Sequence, residues 1–235
     1  AAMAALTGSV IVAADATGRA SSRINDQVVA TFAPVVGVAW ERGPWRAGVT
    51  FRGELAARFL VRIIAMDLGL PIPELNISGV AQYDPMQLQL EGAWQHRGWT
   101  IALGLTGKRW SDWPGPAEAT TPTSPSPPPP DFSDTLVPRA GVEHRWEFDD
   151  SMRVAVRGGY FFEPSPAPTA TPDRRYLDND RHAVSAGLSL SAEAARTRVT
   201  VDLFGQVHVL AARTSAVGTH GGTLFHAGIT ASATF

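Results

Sequence analysis

The charged residues of this sequence fall at even spacings. Arg139, Glu143, Arg145 and Glu147 share one parity, Arg153 and Arg157 do the same in the next run, and so do Arg46, Arg52 and Glu54 further upstream. With Glu91, Lys108 and Asp202 they make a set in which both signs are interleaved. If each run is a strand, its charges project from one face and can pair with opposite charges on neighbouring strands. Such a face suits a water-filled channel or a lumen occupied by a folded plug; the solvated face of an ordinary sheet is the plainer alternative. His208 and His226 are the other candidates for chemistry. A hairpin loop centred near residues 215–218 would set them opposite each other on that same face. A metal needs more ligands than one pair supplies, so they read as a polar pair and no metal is expected.

Catalytic constellations are lacking. There is no Gly-x-Ser-x-Gly, no His-Glu-x-x-His and no glycine-rich phosphate loop, nor a local signature for a lipid-facing Ser-His pair. With no cysteine, disulfides and thiol catalysis are excluded. The expectation is a protein that is not an enzyme and needs no cofactor. A formal charge of -2 gives no case for nucleic acid.

The elements that must carry these charges show themselves between residues 86 and 110. Met86, Leu88, Leu90, Gly92 and Trp94 alternate with Gln87, Gln89, Glu91, Ala93 and Gln95. After a turn at residues 95–98, Trp99, Ile101, Leu103 and Leu105 alternate with Thr100, Ala102, Gly104, Thr106 and Lys108. That is a strand period with one greasy face. Strands of a soluble sandwich run about 5 or 6 residues, whereas these are long enough to cross a bilayer at a tilt, which takes about 9–11. Ten such strands are read, near residues 5–14, 31–41, 45–63, 74–96, 98–110, 135–148, 151–162, 181–192, 197–212 and 223–235. Long connections (15–30, 64–73, 111–134, 163–180, 213–222) alternate with short ones. This asymmetry is that of outer-membrane barrels, with short periplasmic turns and long external loops.

Other features agree. Trp40, Trp45, Trp94, Trp99, Trp146, Phe148, Tyr160 and Phe162 stand where strands end, as an interfacial girdle requires. A mean hydropathy of -0.03 with 44% apolar residues is what alternating faces produce, although a soluble sandwich would look similar. No stretch approaches the roughly 18 uncharged apolar residues of a spanning helix, and no signal peptide opens the chain. The final strand ends in Phe235, resembling the terminal aromatic signal read by outer-membrane assembly machinery. The proline-rich stretch 114–131 reads as a semi-rigid external loop, with a polyproline recognition ligand as the alternative.

Three segments carry a family resemblance. PVVGVAWERGPWRAGVTFRGELAARF from Pro34, YDPMQLQLEGAWQHRGWTIALGLTGKRWSDW from Tyr83, and FSDTLVPRAGVEHRWEFDDSMRVAVRGGYFFEPSPAP from Phe132 followed by Asp178-Asn179-Asp180-Arg181 resemble FadL/TodX-type long-chain fatty acid and hydrocarbon transporters. The resemblance runs from about residue 33 to the end and is most specific in the last third. It implies an all-β, antiparallel, up-and-down transmembrane barrel of fourteen strands. The ten read here form a single β-barrel domain across 1–235, with the N-terminal hatch and first strands outside it. It also implies diffusion of a hydrophobic molecule through the lumen and sideways exit into membrane lipid, by a monomer in the bacterial outer membrane. The external groove for that ligand is expected at Leu60, Ile63, Ile64, Met66, Leu68, Leu70 and Ile72, an apolar run costly to expose without a ligand. The charged set, with His208 and His226, is expected to line the lumen. A polar-solute porin and an adhesive barrel acting through its loops are the other readings.

Overall fold

The computed structural model describes residues 4–5, 8–14, 20–24, 27–66, 75–118, 127–148, 151–194 and 197–234. Sixteen strand segments appear among them. They are β1 (Ala4–Ala5), β2 (Gly8–Ala14), β3 (Ala20–Ile24), β4 (Gln27–Ala30), β5 (Val35–Arg42), β6 (Trp45–Arg52), β7 (Leu55–Met66) and β8 (Leu75–Asp84). There follow β9 (Met86–His96), β10 (Trp99–Arg109), β11 (Ala117–Glu118), β12 (Thr135–Glu147), β13 (Met152–Glu163), β14 (Arg181–Ala194), β15 (Thr197–Ser215) and β16 (Gly218–Thr234). The single helical piece among the described residues is a 3₁₀ turn, Trp110–Asp112. Two compact units result, one built around residues 52–87 and 109–132 with the N-terminal segment, the other from 36–51, 88–108 and the chain from 133 onward.

The second unit holds a nine-stranded antiparallel sheet in the order β16-β15-β14-β13-β12-β10-β9-β6-β5. Each neighbour in space is the neighbour in sequence, apart from the skipped segments, so the meander is up-and-down as the alternating pattern predicts. Its register keeps like with like: Leu103 lies opposite Ala140, Ala140 opposite Tyr160, Tyr160 opposite Val184, and Val184 opposite Val207. A slip of one residue anywhere would turn an apolar set onto the charged face.

Turn chemistry fixes that register. Arg97 and Gly98 both have positive φ (48° and 81°), the requirement of a two-residue hairpin turn whose twist matches the strands. A Cβ on Gly98 would collide with the Arg145 carbonyl oxygen of β12, and the Arg145 amide donates to the Gly98 carbonyl (2.8 Å).

The last hairpin corrects the expected long loop at 213–222. β15 and β16 continue through it and close on a two-residue turn, with Ser215 opposite Gly218. Running on from that pair alone, His208 would face Phe225, a polar position against an apolar one. A bulge between Leu210 and Arg213 adds one residue to β15, which restores the parity. His208 then lies opposite Leu224, and His226 opposite Gln206. The two histidines are diagonal neighbours and not directly opposed.

The first unit departs further from the sequence reading. Residues 15–30 include strands β3 and β4 where a loop was expected. The long third strand is broken at Gly53–Glu54, where Gly53 donates to the Pro34 carbonyl (2.8 Å) and a Cβ on it would sit 2.6 Å from the Pro34 ring. The fourth is broken at Pro85, which has no N–H for a ladder. In the seven-stranded sheet of this unit, β7 is the hub. It pairs antiparallel with β4 and β8 and parallel with β2, the one parallel pairing among the described strands.

Candidate functional site

On the nine-stranded sheet every second side chain belongs to one of two very different faces. One carries the charges. Arg157 stands opposite Glu143 on β12 and Gly187 on β14. Its Nε donates to Glu143 Oε2 (2.5 Å) and its Nη1 to Asp202 Oδ1 of β15 (3.2 Å). Glycine at 187 leaves no side chain between Arg157 and β15, so one guanidinium links three strands. Arg145 also pairs with Glu143 (3.0 Å), and Arg153 with Glu147 (3.6 Å). On β6, Arg46 pairs with Glu41 (3.2 Å). These groups are partly exposed, so each pair contributes at most about 1 kcal/mol. They set the polarity of the face more than its stability.

At the end remote from the short turns, Glu163 at the end of β13 accepts from both Lys108 on β10 and Arg181 on β14. Arg139 donates to Thr106 Oγ1 (3.0 Å), and Arg181 lies over the Phe161 ring, 5.3 Å from its centre. The His208 ring meets those of His226 (5.3 Å) and Phe161 (5.7 Å) edge to face. No group of three or more metal-ligating side chains occurs among the described residues.

Between β6 and β12 the same face has a hollow of about 480 Å³. Small residues, Gly48, Ala93, Ala102, Gly104 and Gly141, line it together with Arg46, Glu91 and Arg139.

The other face is apolar and uncovered. Val38 (71% exposed), Leu103 (63%), Ile229 (70%) and Phe225 (75%) typify a surface that extends from β5 to β16. Trp40, Trp45, Trp99 and Trp146 are exposed on it beside the short turns, and Tyr160 and Phe162 lie towards the opposite ends of the strands, where Tyr160 Oη meets His182 Nδ1 (2.8 Å). Leaving so many large apolar side chains in water would forgo on the order of tens of kcal/mol. A single-layer sheet with a greasy outer face and a charged inner one has the polarity of a membrane barrel wall.

Of the charged residues expected together, Arg46, Glu91, Lys108, Arg139, Glu143, Arg153, Arg157, Asp202, His208 and His226 share this one face. Arg52, the last residue of β6, keeps the parity of Arg46; it and Glu54 are counted with the first unit. There Arg52 pairs with Asp84 (2.8 Å), and Glu54, outside any strand, accepts from Tyr83 Oη (3.3 Å) beside a ring cluster of Tyr83, Trp110, Phe132 and Trp113. Of the apolar run, Leu60, Ile63, Ile64 and Met66 lie within β7, between paired strands, and not in a loop. Leu60 is 38% exposed. The side chains of Ile63, Ile64 and Met66, together with Leu68, Leu70 and Ile72, lie outside the described residues, as do Phe235 and residues 119–126 of the proline-rich stretch.

Sequence reading missed several members of the charged face, among them Glu41, Glu193 and Arg198 near the short turns. Glu163 fell in a presumed loop, and Arg181 at a strand's first residue was not counted. Arg213 has the wrong parity until the bulge is known. Phe204 is the reverse case, an aromatic on the polar face. It lies over Gly228, where a Cβ would come within 2.5 Å of its ring.

No family model matches the chain. Alkane uptake protein A of Marinobacter nauticus is 28% identical over 163 residues, which make up 66% of this chain and 35% of that protein. The crystal structure of a FadL homologue from Pseudomonas aeruginosa matches with a TM-score of 0.58 at 14% identity, over 92% of this chain and 54% of that one. The chain therefore spans about a third of the curated relative and about half of the solved one. At that identity the structural match shows a shared fold.

Proposed function

We propose that this chain, which has the fold of the FadL-type outer-membrane proteins and a sequence likeness to an alkane uptake protein, is part of a passive transporter for long-chain fatty acids or other hydrophobic molecules. The observation that carries the reading is the two-faced sheet. Its uncovered apolar face meets lipid in the bacterial outer membrane, and its charged face lines the lumen of a barrel. No covalent chemistry is involved. The ligand crosses by diffusion, its apolar body against small residues such as Gly48, Ala93, Ala102 and Gly104, and leaves sideways into the membrane. Leu60 and the neighbouring apolar run of β7, with Leu68, Leu70 and Ile72, are proposed to form its outer groove.

A polar-solute porin is the second reading, favoured by the ion-paired Glu143, Arg157 and Asp202, which would equally line a hydrated pore. One assay separates them. Full-length protein is expressed in a cell lacking its own transporter, and uptake of labelled fatty acid or alkane is compared with that of a small sugar. Hydrophobe uptake above the empty-vector control is expected; sugar uptake alone would replace the first reading with the second.

A further inference from the structure

We infer that the β13–β14 connection, residues 164–180, is a strap folded onto the charged face, that it narrows the passage, and that Arg213 is the positioning residue that pins it. The inference rests on the reading above that this face lines a lumen. It starts from a pattern of burial. Thr106 (1% exposed), Val137 (2%), Ala183 (1%) and His208 (7%) all project from the charged face in the same two or three rows. Lower on that face, Ala155 and Ser189 are also buried, but they are small and flanked by Arg145, Arg153 and Arg157. A single sheet layer does not hide a threonine, a valine and a histidine on its own, so another segment must cover them.

The strap supplies that cover. Two of its alanines, Ala167 (4%) and Ala170 (3%), are themselves buried, unusual for a long connection at a sheet end. The Arg213 guanidinium donates to the Ala167 carbonyl (2.9 Å) and the Asp178 carbonyl (3.3 Å), and reaches Ser165 Oγ (3.3 Å) and Thr169 Oγ1 (3.4 Å). Five planar donors spread from one cation suit such a task. The bulge decides the side on which this happens. Arg213 lies opposite His220, whose parity is that of Gly222, Leu224 and His226, so the extra residue turns Arg213 inward. Asn179 is a second fastening, its Nδ2 donating to the carbonyls of Ala211 (2.7 Å) and His220 (3.0 Å). Ser133 N donates to the Pro166 carbonyl (2.9 Å) on the other flank. A segment fastened at both flanks and from within is held across the face, and in a lumen it would exclude bulky hydrophilic solutes.

This chain has no cysteine, so once any cysteine outside it is replaced, single reporters can be placed in full-length protein reconstituted in vesicles. Ala183→Cys lies beneath the strap and Thr230→Cys on the open part of the same face. A bulky hydrophilic maleimide should label the Thr230 reporter readily and the Ala183 reporter at least tenfold more slowly. Adding Arg213→Ala, or Asn179→Ala should the first fail to assemble, should raise the Ala183 rate tenfold and single-channel conductance severalfold. Retained heat-modifiable mobility on gels would show the barrel intact. Equal labelling at both sites in the parent protein would overturn the strap, as would an Ala183 reporter that stays protected when both fastenings are removed. Faster labelling without any gain in conductance would overturn the constriction. Failure of Thr230→Cys to label would count instead against the lumen itself.

Discussion

Arg157 shows what single residues do on this face. It bridges Glu143 and Asp202 because Gly187 stands between them without a side chain, yet all three groups are partly exposed. In hydrated surroundings such pairs are screened, so a double-mutant cycle between Glu143→Gln and Arg157→Met should give a coupling of less than about 1 kcal/mol in urea unfolding. A coupling of several kcal/mol would mean that the face is dry. Phe204 and Gly228 make the converse case, a tight contact on an otherwise open surface. Gly228→Val meets only the far end of a half-exposed ring that can swing aside, so it should cost less than about 1 kcal/mol in urea unfolding, and pairing it with Phe204→Ala should remove that cost. The charges at 139–147 and at 153–157 could be read from the sequence because each set keeps parity within its own unbroken strand. Arg213 and Glu163 could not, since a bulge and a strand end are invisible to period-two counting.

At the scale of elements, alternation and turns dominate. The pattern over residues 86–110 is that of β9 and β10, and the Arg97-Gly98 turn lies where the glycine marks it. Gly98→Ala imposes a side chain on a φ of 81° and pushes it against β12, so the hairpin should lose about 1–3 kcal/mol, seen as a lower urea midpoint in vesicles. Two faces of one strand should also answer oppositely to charge. Ile229→Arg on the apolar face should cost about 2–4 kcal/mol near the bilayer midplane, and Thr230→Arg on the other face less than about 1. Equal tolerance at the two positions would remove lipid from the apolar side. Where the alternation was interrupted the sequence reading overran. Gly53 and Pro85 end strands that continuous apolar character had joined, and β3 and β4 occupy residues taken for a loop because their runs are too short to show a period.

The whole molecule follows from the sign of its two surfaces. A soluble sheet turns its apolar side inward, and this one leaves Phe225, Ile229 and Val38 uncovered while its charges pair among themselves on the opposite side. That inversion accounts for the barrel-wall polarity and agrees with the shared fold with a FadL homologue. Parity could be counted from the sequence alone; which parity meets lipid could not, because lipid and a protein core attract the same side chains. The most direct measurement is a cysteine scan of β15 from Arg198 to Gln206 in reconstituted full-length protein, labelled with a membrane-impermeant maleimide. The even positions, Arg198, Thr200, Asp202, Phe204 and Gln206, should react and the odd ones should not, while nitroxides at the odd positions report contact with lipid. Reaction without alternation, or alternation with the opposite phase, would contradict the assignment of one face to the membrane and the other to a water-filled passage.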